Sequence, residues 1–406
     1  MDIMERLSDP EVWQEYFLYK KSGGRLLNCE EQELENFIRE QQYLPVVNRI
    51  RSGGTFPPPK KSAISKMNSA KKRIVYTYPP GENQVLKLMT YLLLRQYDGC
   101  FSHNLFSFRP GRTPKDAIGH LIRQPGICGM WSYKADISDY FNSIPVERML
   151  PILQSVLKDE PELFRFLASL LTNPIVIDGG KPVEERKGIM AGTPVSTFLA
   201  NLYLSELDAH FAAEGRIYAR YSDDIILFAK TREDLEEQIR FVSQFLADAG
   251  LSVNPAKESR TAPGEQWIFL GFACRGGVID IAPASLEKLK AKMRRKARAL
   301  ARWRDRKHAP GESAAKAFIR AFNRKLFEGV PEHDLTWTRW YFPVITTADS
   351  LKIIDQYAQS CIRTLATGTH TKSAYNFRYE DMKKLGYVTL VGRYYSGQTP
   401  EEETRP

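Results

Sequence analysis

The stretch that most constrains the chain is Tyr221-Ser222-Asp223-Asp224, set between two short apolar runs, Arg216–Arg220 and Ile225–Ala229. It reads as strand, tight polar turn, strand: a β-hairpin with two adjacent carboxylates at its tip. Successive strand residues point to opposite faces, but a turn can bring both carboxylates near one point. Two such charges repel unless a cation lies between them, and Mg²⁺ is typically held by one or two carboxylates together with substrate phosphates. Asp is also common in ordinary solvated turns, so the pair has to be weighed against the rest of the chain.

Lys and Arg number 58 against 48 Asp and Glu, a net charge of +10, which favours an anionic partner, most simply a nucleic acid. A chain of 406 residues can form two or three domains with a real core, and an apolar share of 43% argues against general disorder. The cysteines (Cys29, Cys100, Cys128, Cys274 and Cys361) are scattered, with no CxxC pair or Cys/His cluster. Reduced thiols, a cytoplasmic location and no zinc site are therefore expected. The acidic first residues lack the apolar core of a secretory leader. No stretch approaches the ~20 apolar residues of a membrane span.

In chain order, residues 1–50 carry apolar residues at helical spacing (Trp13, Tyr16, Phe17; Leu34, Phe37, Ile38), which predicts two or three amphipathic helices. Pro57-Pro58-Pro59 predicts an extended loop. Ala70–Tyr76 is a basic strand; Lys71 or Arg73 could contact a triphosphate, or the lysines could simply protect an exposed edge. Gln84–Tyr97 is an apolar core helix. Arg109-Pro110-Gly111-Arg112 leads into a helix near Thr113 and is either a phosphate-binding loop or an ordinary helix entry. Trp131–Ile137 is a strand with Asp136 near its end, a place suited to a metal ligand, while Asp139 reads as a helix cap. Pro174–Val183 is a hairpin with an Asp-Gly turn. The small residues of Lys187–Ser196 would let a ligand's backbone or sugar come close, or cap a long helix running to about Ala213, with Ser196 as N-cap. Arg232–Ala249 is an amphipathic helix, and Trp267–Phe272 a short apolar strand with a Gly break. Glu287–Lys307 is a strongly basic helix with one apolar stripe, better matched to a nucleic-acid duplex than to solvent alone. Two more helices fall within 313–370, and the tail from Gly397 is polar and loose.

Taken in order, these segments resemble a reverse transcriptase of the bacterial type, akin to those of group II introns and retrons. The resemblance covers roughly 65–300 and rests on Leu105–Ile118, Lys134–Ile144, Gly192–Asp208, Tyr221–Asp224 and Trp267–Phe272. It implies an α/β (α+β) right-hand polymerase, with fingers, an antiparallel palm sheet packed on helices, and a helical thumb. The expected divisions are an N-terminal helical extension at 1–65, fingers at 66–135, palm at 136–275, a basic thumb at 285–396 and a loose tail at 397–406. Two Mg²⁺ ions would be held by Asp136, Asp223, Asp224 and the Ile137 carbonyl. Lys71 and Arg73 would neutralise the triphosphate. Lys257 resembles the family's lysine near pyrophosphate, a candidate general acid, or is a surface loop lysine. Phe141 stands where relatives carry the aromatic that blocks a ribose 2′-hydroxyl, implying selection of dNTPs; otherwise it is a core Phe. Ala191, beside Gly192, replaces the Gln that contacts the incoming nucleotide in many relatives.

The implied partners are an RNA template, a DNA primer or product, and dNTPs. The chain looks like a free-standing form, similar to defence-associated reverse transcriptases that act against phage with a dedicated structured noncoding RNA. The alternatives are a template-independent or protein-primed polymerase of abortive-infection type, with Tyr394-Tyr395 as a source of a priming hydroxyl, and a catalytically idle RNA-binding scaffold.

Overall fold

The structure is a computed structural model that describes residues 2–22, 28–65, 72–328 and 337–397. The chain divides into two compact units, Met1–Pro263 and Gly264–Pro406.

Helices at Ile3–Arg6, Pro10–Ser22, Asn28–Arg39 and Tyr43–Arg51 open the first unit. They close on an aromatic cluster in which the Trp13 ring stacks on Tyr43 at 4.8 Å. The buried Glu160 carboxylate accepts the Ile3 N–H at 3.1 Å and so ties the first turn to the body of the unit. The helix Pro80–Gln96 forms as its apolar pattern predicts and buries Val85, Leu86, Leu88, Met89, Leu92 and Leu93.

The strands of this unit are β1 (Lys60–Ser65), β2 (Lys72–Thr77), β3 (Trp131–Asp136), β4 (Ile175–Asp178), β5 (Lys181–Glu184), β6 (Ile217–Tyr221), β7 (Asp224–Ala229) and β8 (Ser259–Thr261). They form two four-stranded sheets, ordered β2-β1-β4-β5 and β6-β7-β3-β8. The second sheet is antiparallel throughout. The helices Pro114–Ile122 and Ser205–Ala213 pack against β6, and Arg232–Asp248 packs against β3 and β7. The Pro57–Pro59 segment is the loop its prolines predict, without helix or strand, and β1 begins directly after it at Lys60, where no strand was expected. Lys72 to Thr77 lies at the edge of that sheet, which matches the protected-edge reading of its basic residues.

Three local expectations are corrected. Asp139 precedes the short helix Tyr140–Ser143 but makes no side-chain cap; its backbone is left-handed at φ +41°. Ser196 is the first residue of its helix rather than the cap, and its hydroxyl donates to the Met190 carbonyl at 3.0 Å. The long helix expected from there breaks at Leu204 into Ser196–Tyr203 and Ser205–Ala213.

In the second unit, β9 (Trp267–Phe269), β10 (Phe272–Arg275) and β11 (Val278–Ile281) form an antiparallel sheet. The expected Gly break is therefore a hairpin turn, with Leu270 at φ +52° and Gly271 at φ +84°. The helix Pro283–Lys307 buries Leu286, Leu289 and Met293 and exposes most of its basic residues. It packs with Gly311–Asn323 and Asp349–Thr367. Among the described residues, no helix is long and apolar enough to cross a membrane.

Candidate active site

Strand β3 carries Asp136 at its last position, and the register of its pairing with β7 sets Asp136 directly opposite Asp224. Directly opposed residues in an antiparallel pair have Cβ atoms about 4.5–5.5 Å apart, and like charges there destabilise the pair. Tyr221 pairs with Asp224 across the β6–β7 hairpin, leaving Ser222 and Asp223 as a two-residue loop. One backbone bond fastens this loop to the end of β3: the Ile137 N–H donates to the Asp223 carbonyl at 3.0 Å. On the other side, Ser138 N–H donates to Ser252 O at 2.9 Å and Asn254 N–H to Asp136 O at 2.8 Å. The carbonyl of Ile137 takes part in none of these bonds. Carboxylates nearly ninety residues apart in the chain thus meet at one end of one sheet.

The segment that crosses at Asn254 continues into a short turn, Pro255–Lys257, which sets the Lys257 Nζ 2.6 Å from Asp136 Oδ2. Lys257 is half-exposed, so its ammonium can also reach outward. A second lysine, one that the sequence did not single out, is Lys134, whose Nζ lies 3.3 Å from Asp224 Oδ1. The period of two along a strand puts Lys134 on the same face as Asp136, and that was the signal able to find it. Burial raises the pKa of Asp223, and repulsion from Asp136 and Asp224 raises it further. Asp224 is raised by burial, with Lys134 opposing.

This donor set fits a hard divalent cation. Its oxygens are all carboxylate or backbone, the set that suits Mg²⁺, Mn²⁺ or Ca²⁺. Burial first, and the charges of Asp136 and Asp224 next, disfavour the ionised Asp223 carboxylate, a cost that a cation at the site would offset. Among the described residues, no group of three or more His, Cys, Asp or Glu is placed to hold a metal ion, so a cation at Asp136, Asp223 and Asp224 would have to take further ligands from elsewhere. Such an open set suits an ion that shares its ligands with substrate phosphates.

Phe141 lies half-buried, five positions beyond Asp136, with its ring 5.7 Å from Tyr140 and 6.5 Å from Phe108. Its carbonyl accepts the Ile189 N–H at 2.9 Å, which holds the Lys187–Thr193 loop against it. Ala191 is buried, its N–H donating to Asn142 Oδ1 at 3.1 Å and its carbonyl accepting Tyr76 N–H at 2.8 Å. Gly192 has φ +97°, and a Cβ there would stand 3.0 Å from Val75 Cβ and 3.1 Å from Tyr76 O. At Gly188 a Cβ would meet the Asn142 backbone at 2.6 Å. In both places the close neighbour is the chain itself. Arg73 is exposed on β2, beside this loop, and Lys71 lies outside the described residues.

Arg109 is an internal tie rather than an open anion site. It is buried, its Nε donates to Asp98 Oδ1 at 2.7 Å, and the helix that follows starts with a capping box between Thr113 and Asp116. Three further side chains carry no signal in the sequence. Asn142 joins Ala191 to the Ile74 carbonyl. Arg220 and Asp208 form a fully buried ion pair directly behind the hairpin loop.

The profile of the family described as reverse transcriptase (RNA-dependent DNA polymerase) matches residues 59–274. The chain is 24% identical over 173 residues to the retron Ec86 reverse transcriptase of Escherichia coli, covering 42% of this chain and 50% of that one. It is 29% identical over 158 residues to an uncharacterised 91 kDa protein in the cob intron of Schizosaccharomyces pombe, covering 38% of this chain and 18% of that one. The chain thus spans half or less of the length of these curated relatives. Among solved structures, apo telomerase from Candida tropicalis is similar with a TM-score of 0.49 and 11% identity, covering 82% of this chain and 60% of that one. The profile covers over half the chain and includes Asp136, Asp223, Asp224 and Lys257, and on that match the chain belongs to the reverse transcriptase (RNA-dependent DNA polymerase) family.

Proposed function

We propose that this chain extends a DNA 3′ end with dNTPs on an RNA template, and that the meeting point of β3 and the β6–β7 loop is where the bond forms. The observation that carries this reading is the register that opposes Asp136 to Asp224, together with the Ile137–Asp223 backbone bond. Two Mg²⁺ ions, held by Asp136, Asp223, Asp224 and the Ile137 carbonyl, would acidify the primer hydroxyl and neutralise charge on the departing pyrophosphate.

The remaining work falls to side chains. Lys257, half-exposed beside Asp136, would supply a general acid or counter-charge to the leaving group. Arg73, with Lys71, meets the triphosphate from the fingers side. Phe141 closes the space beside the ribose and disfavours a 2′-hydroxyl. Ala191 is buried with its N–H and carbonyl bonded to Asn142 and Tyr76 and offers the nucleotide no side-chain amide, and the exposed Gly192 offers backbone alone, so base selection rests more on pairing with the template than in relatives with Gln at this place. In this reading, 66–135 act as fingers, 136–275 as palm and 285–396 as thumb. The finer assignment is to an anti-phage enzyme that works on a dedicated structured noncoding RNA, and it draws on the likeness to short, diverged bacterial forms.

Primer extension on homopolymer RNA, with four dNTPs and Mg²⁺, tests the core of this reading. Template-dependent incorporation that disappears in Asp223→Asn/Asp224→Asn, with RNA binding kept, is the expected result. Incorporation of any dNTP without regard to template would instead assign an untemplated polymerase, and synthesis by the double variant would remove both carboxylates from the site.

A further inference from the structure

A closed polar network lies behind the loop that carries Asp223. Arg220, on β6, and Asp208, on the helix Ser205–Ala213, are both fully buried, with Arg220 Nη2 at 2.6 Å from Asp208 Oδ2. Arg220 Nε and the Tyr218 hydroxyl both donate to Asp208 Oδ1, at 2.8 and 2.9 Å. The remaining guanidinium hydrogens turn toward the loop and the helix before it: Nη1 donates to the Ser222 carbonyl at 3.2 Å, and Nη2 to the Asn201 carbonyl at 3.0 Å. The buried Ser107 hydroxyl accepts the Ser222 N–H at 2.8 Å and donates to Asn201 Oδ1 at 3.0 Å. Asn201 returns a bond from Nδ2 to the Ser107 carbonyl at 2.8 Å.

Both backbone polar groups of Ser222 are therefore held by buried side chains, its carbonyl by Arg220 and its N–H by Ser107. Ser222 is also one of the few non-glycine residues with a left-handed backbone, at φ +61°. That position of a two-residue hairpin loop usually takes glycine. A serine held there is strained, and strain of this kind persists only when the surroundings over-determine it. A buried ion pair is also a poor source of stability compared with apolar packing. A fully satisfied polar network, in contrast, fixes one geometry. The geometry fixed here is that of the residue immediately before Asp223.

We infer that Ser107 and Arg220 are positioning residues of the polymerase site: they hold Ser222 left-handed and so aim the Asp223 carboxylate toward the cation it shares with Asp136. This rests on reading Asp136, Asp223 and Asp224 as metal ligands. Neither Ser107 nor Arg220 touches substrate; both act through the Ser222 backbone.

Ser107→Ala, made in the full chain, deletes one hydroxyl from the network. Four quantities are read: Mn²⁺ affinity by electron paramagnetic resonance, RNA affinity, kcat, and KM for dNTP. Mn²⁺ affinity and kcat should fall roughly 10–100-fold, as when outer partners of metal ligands are removed, while RNA affinity and KM stay within about threefold. Adding Ser222→Gly, which adopts the left-handed backbone without support, should restore part of the missing Mn²⁺ affinity. If Ser107→Ala does not fold, Ser107→Cys keeps the volume and a weak acceptor and should show the same losses to a smaller degree. Unchanged Mn²⁺ affinity and kcat in the serine variants, or losses that Ser222→Gly does not relieve, would overturn the inference. Asp223→Asn separates the two layers. If it still binds Mn²⁺ and synthesises DNA, the metal reading itself fails; if it loses both while Ser107→Ala keeps both, only the positioning role fails.

Discussion

Asp223 sits half-buried, beside two other carboxylates, with no ion-pair partner among the described residues, whereas Asp136 and Asp224 each face a lysine. Without a cation its charge is a net cost to the fold. Asp223→Asn should therefore stabilise the metal-free protein by about 1 kcal/mol, roughly 2–4 °C in thermal midpoint. Added Mg²⁺ should raise the midpoint of the wild type and not of the variant. Differential scanning fluorimetry with and without Mg²⁺ reads both effects, and a destabilised variant would speak against a charge-starved site. Phe141 makes a separate prediction, because its ring is only half-buried and packs on Phe108 and Tyr140. Phe141→Ala should relax discrimination against rNTPs roughly tenfold or more, read from single-nucleotide incorporation; unchanged sugar choice would leave Phe141 a packing residue. Lys187 offers a pH test. Burial pushes its pKa down to about 8 from 10.5, and its ammonium is spent on the Asn173 carbonyl. The folded state favours the neutral amine, so the cost of folding is full below pH 8 and fades as pH rises from about 8 to 10.5. Urea midpoints of the wild type should rise across that window relative to Lys187→Met, and a flat difference would contradict the burial of its charge.

At the scale of elements, the loop from Lys187 to Thr193 is fitted against β2 and the short helix Tyr140–Ser143 with no room to spare. Gly192→Ala adds both a disfavoured backbone and a close approach to Val75 and Tyr76. Gly126→Ala, also at positive φ but with nothing within 4 Å, adds only the backbone penalty. The first should cost on the order of 1–3 kcal/mol and the second distinctly less, read as urea midpoints. The elements that were legible in the sequence are those whose evidence is local. The β6–β7 hairpin, β3 with its terminal Asp136 and the Asp178-Gly179 turn follow from alternation and turn chemistry. β1 was hidden because Lys60-Lys61 and the three prolines before it look like a loop, and its pairing with β2 and β4 is settled by distant residues. The break at Leu204 carries no Gly or Pro to announce it. Arg220 reads as a strand-end charge, and nothing near it reveals that Asp208, on a separate helix, neutralises it in the interior. Lys134 was within reach of the period-two rule. Lys257 stood out in the sequence, but its pairing with Asp136 did not.

For the molecule as a whole, the family match spans β1 to β10, and the site lies within the first compact unit. The second unit carries the basic helix Pro283–Lys307. Lys288, Arg298 and Arg302 are exposed along it, and each RNA phosphate that such a side chain neutralises adds to the salt dependence of binding. Changing all three to Glu should weaken RNA binding in the full chain and lower the slope of log K against log salt by roughly one unit for each phosphate left without its cation, with the thermal midpoint unchanged; an unaltered slope would place the RNA elsewhere. The central claim, that acidic residues from β3 and the hairpin share cations at a DNA-synthesising site, is tested most directly at Asp136, the member supplied by the separate strand. The measurement is incorporation of one complementary dNTP on an RNA template, across a Mg²⁺ titration, by wild type and Asp136→Asn. The wild type should incorporate it in a Mg²⁺-dependent manner, and Asp136→Asn should fold and bind RNA normally yet incorporate nothing at any Mg²⁺ concentration. Template-directed incorporation by Asp136→Asn at the wild-type rate would contradict the account.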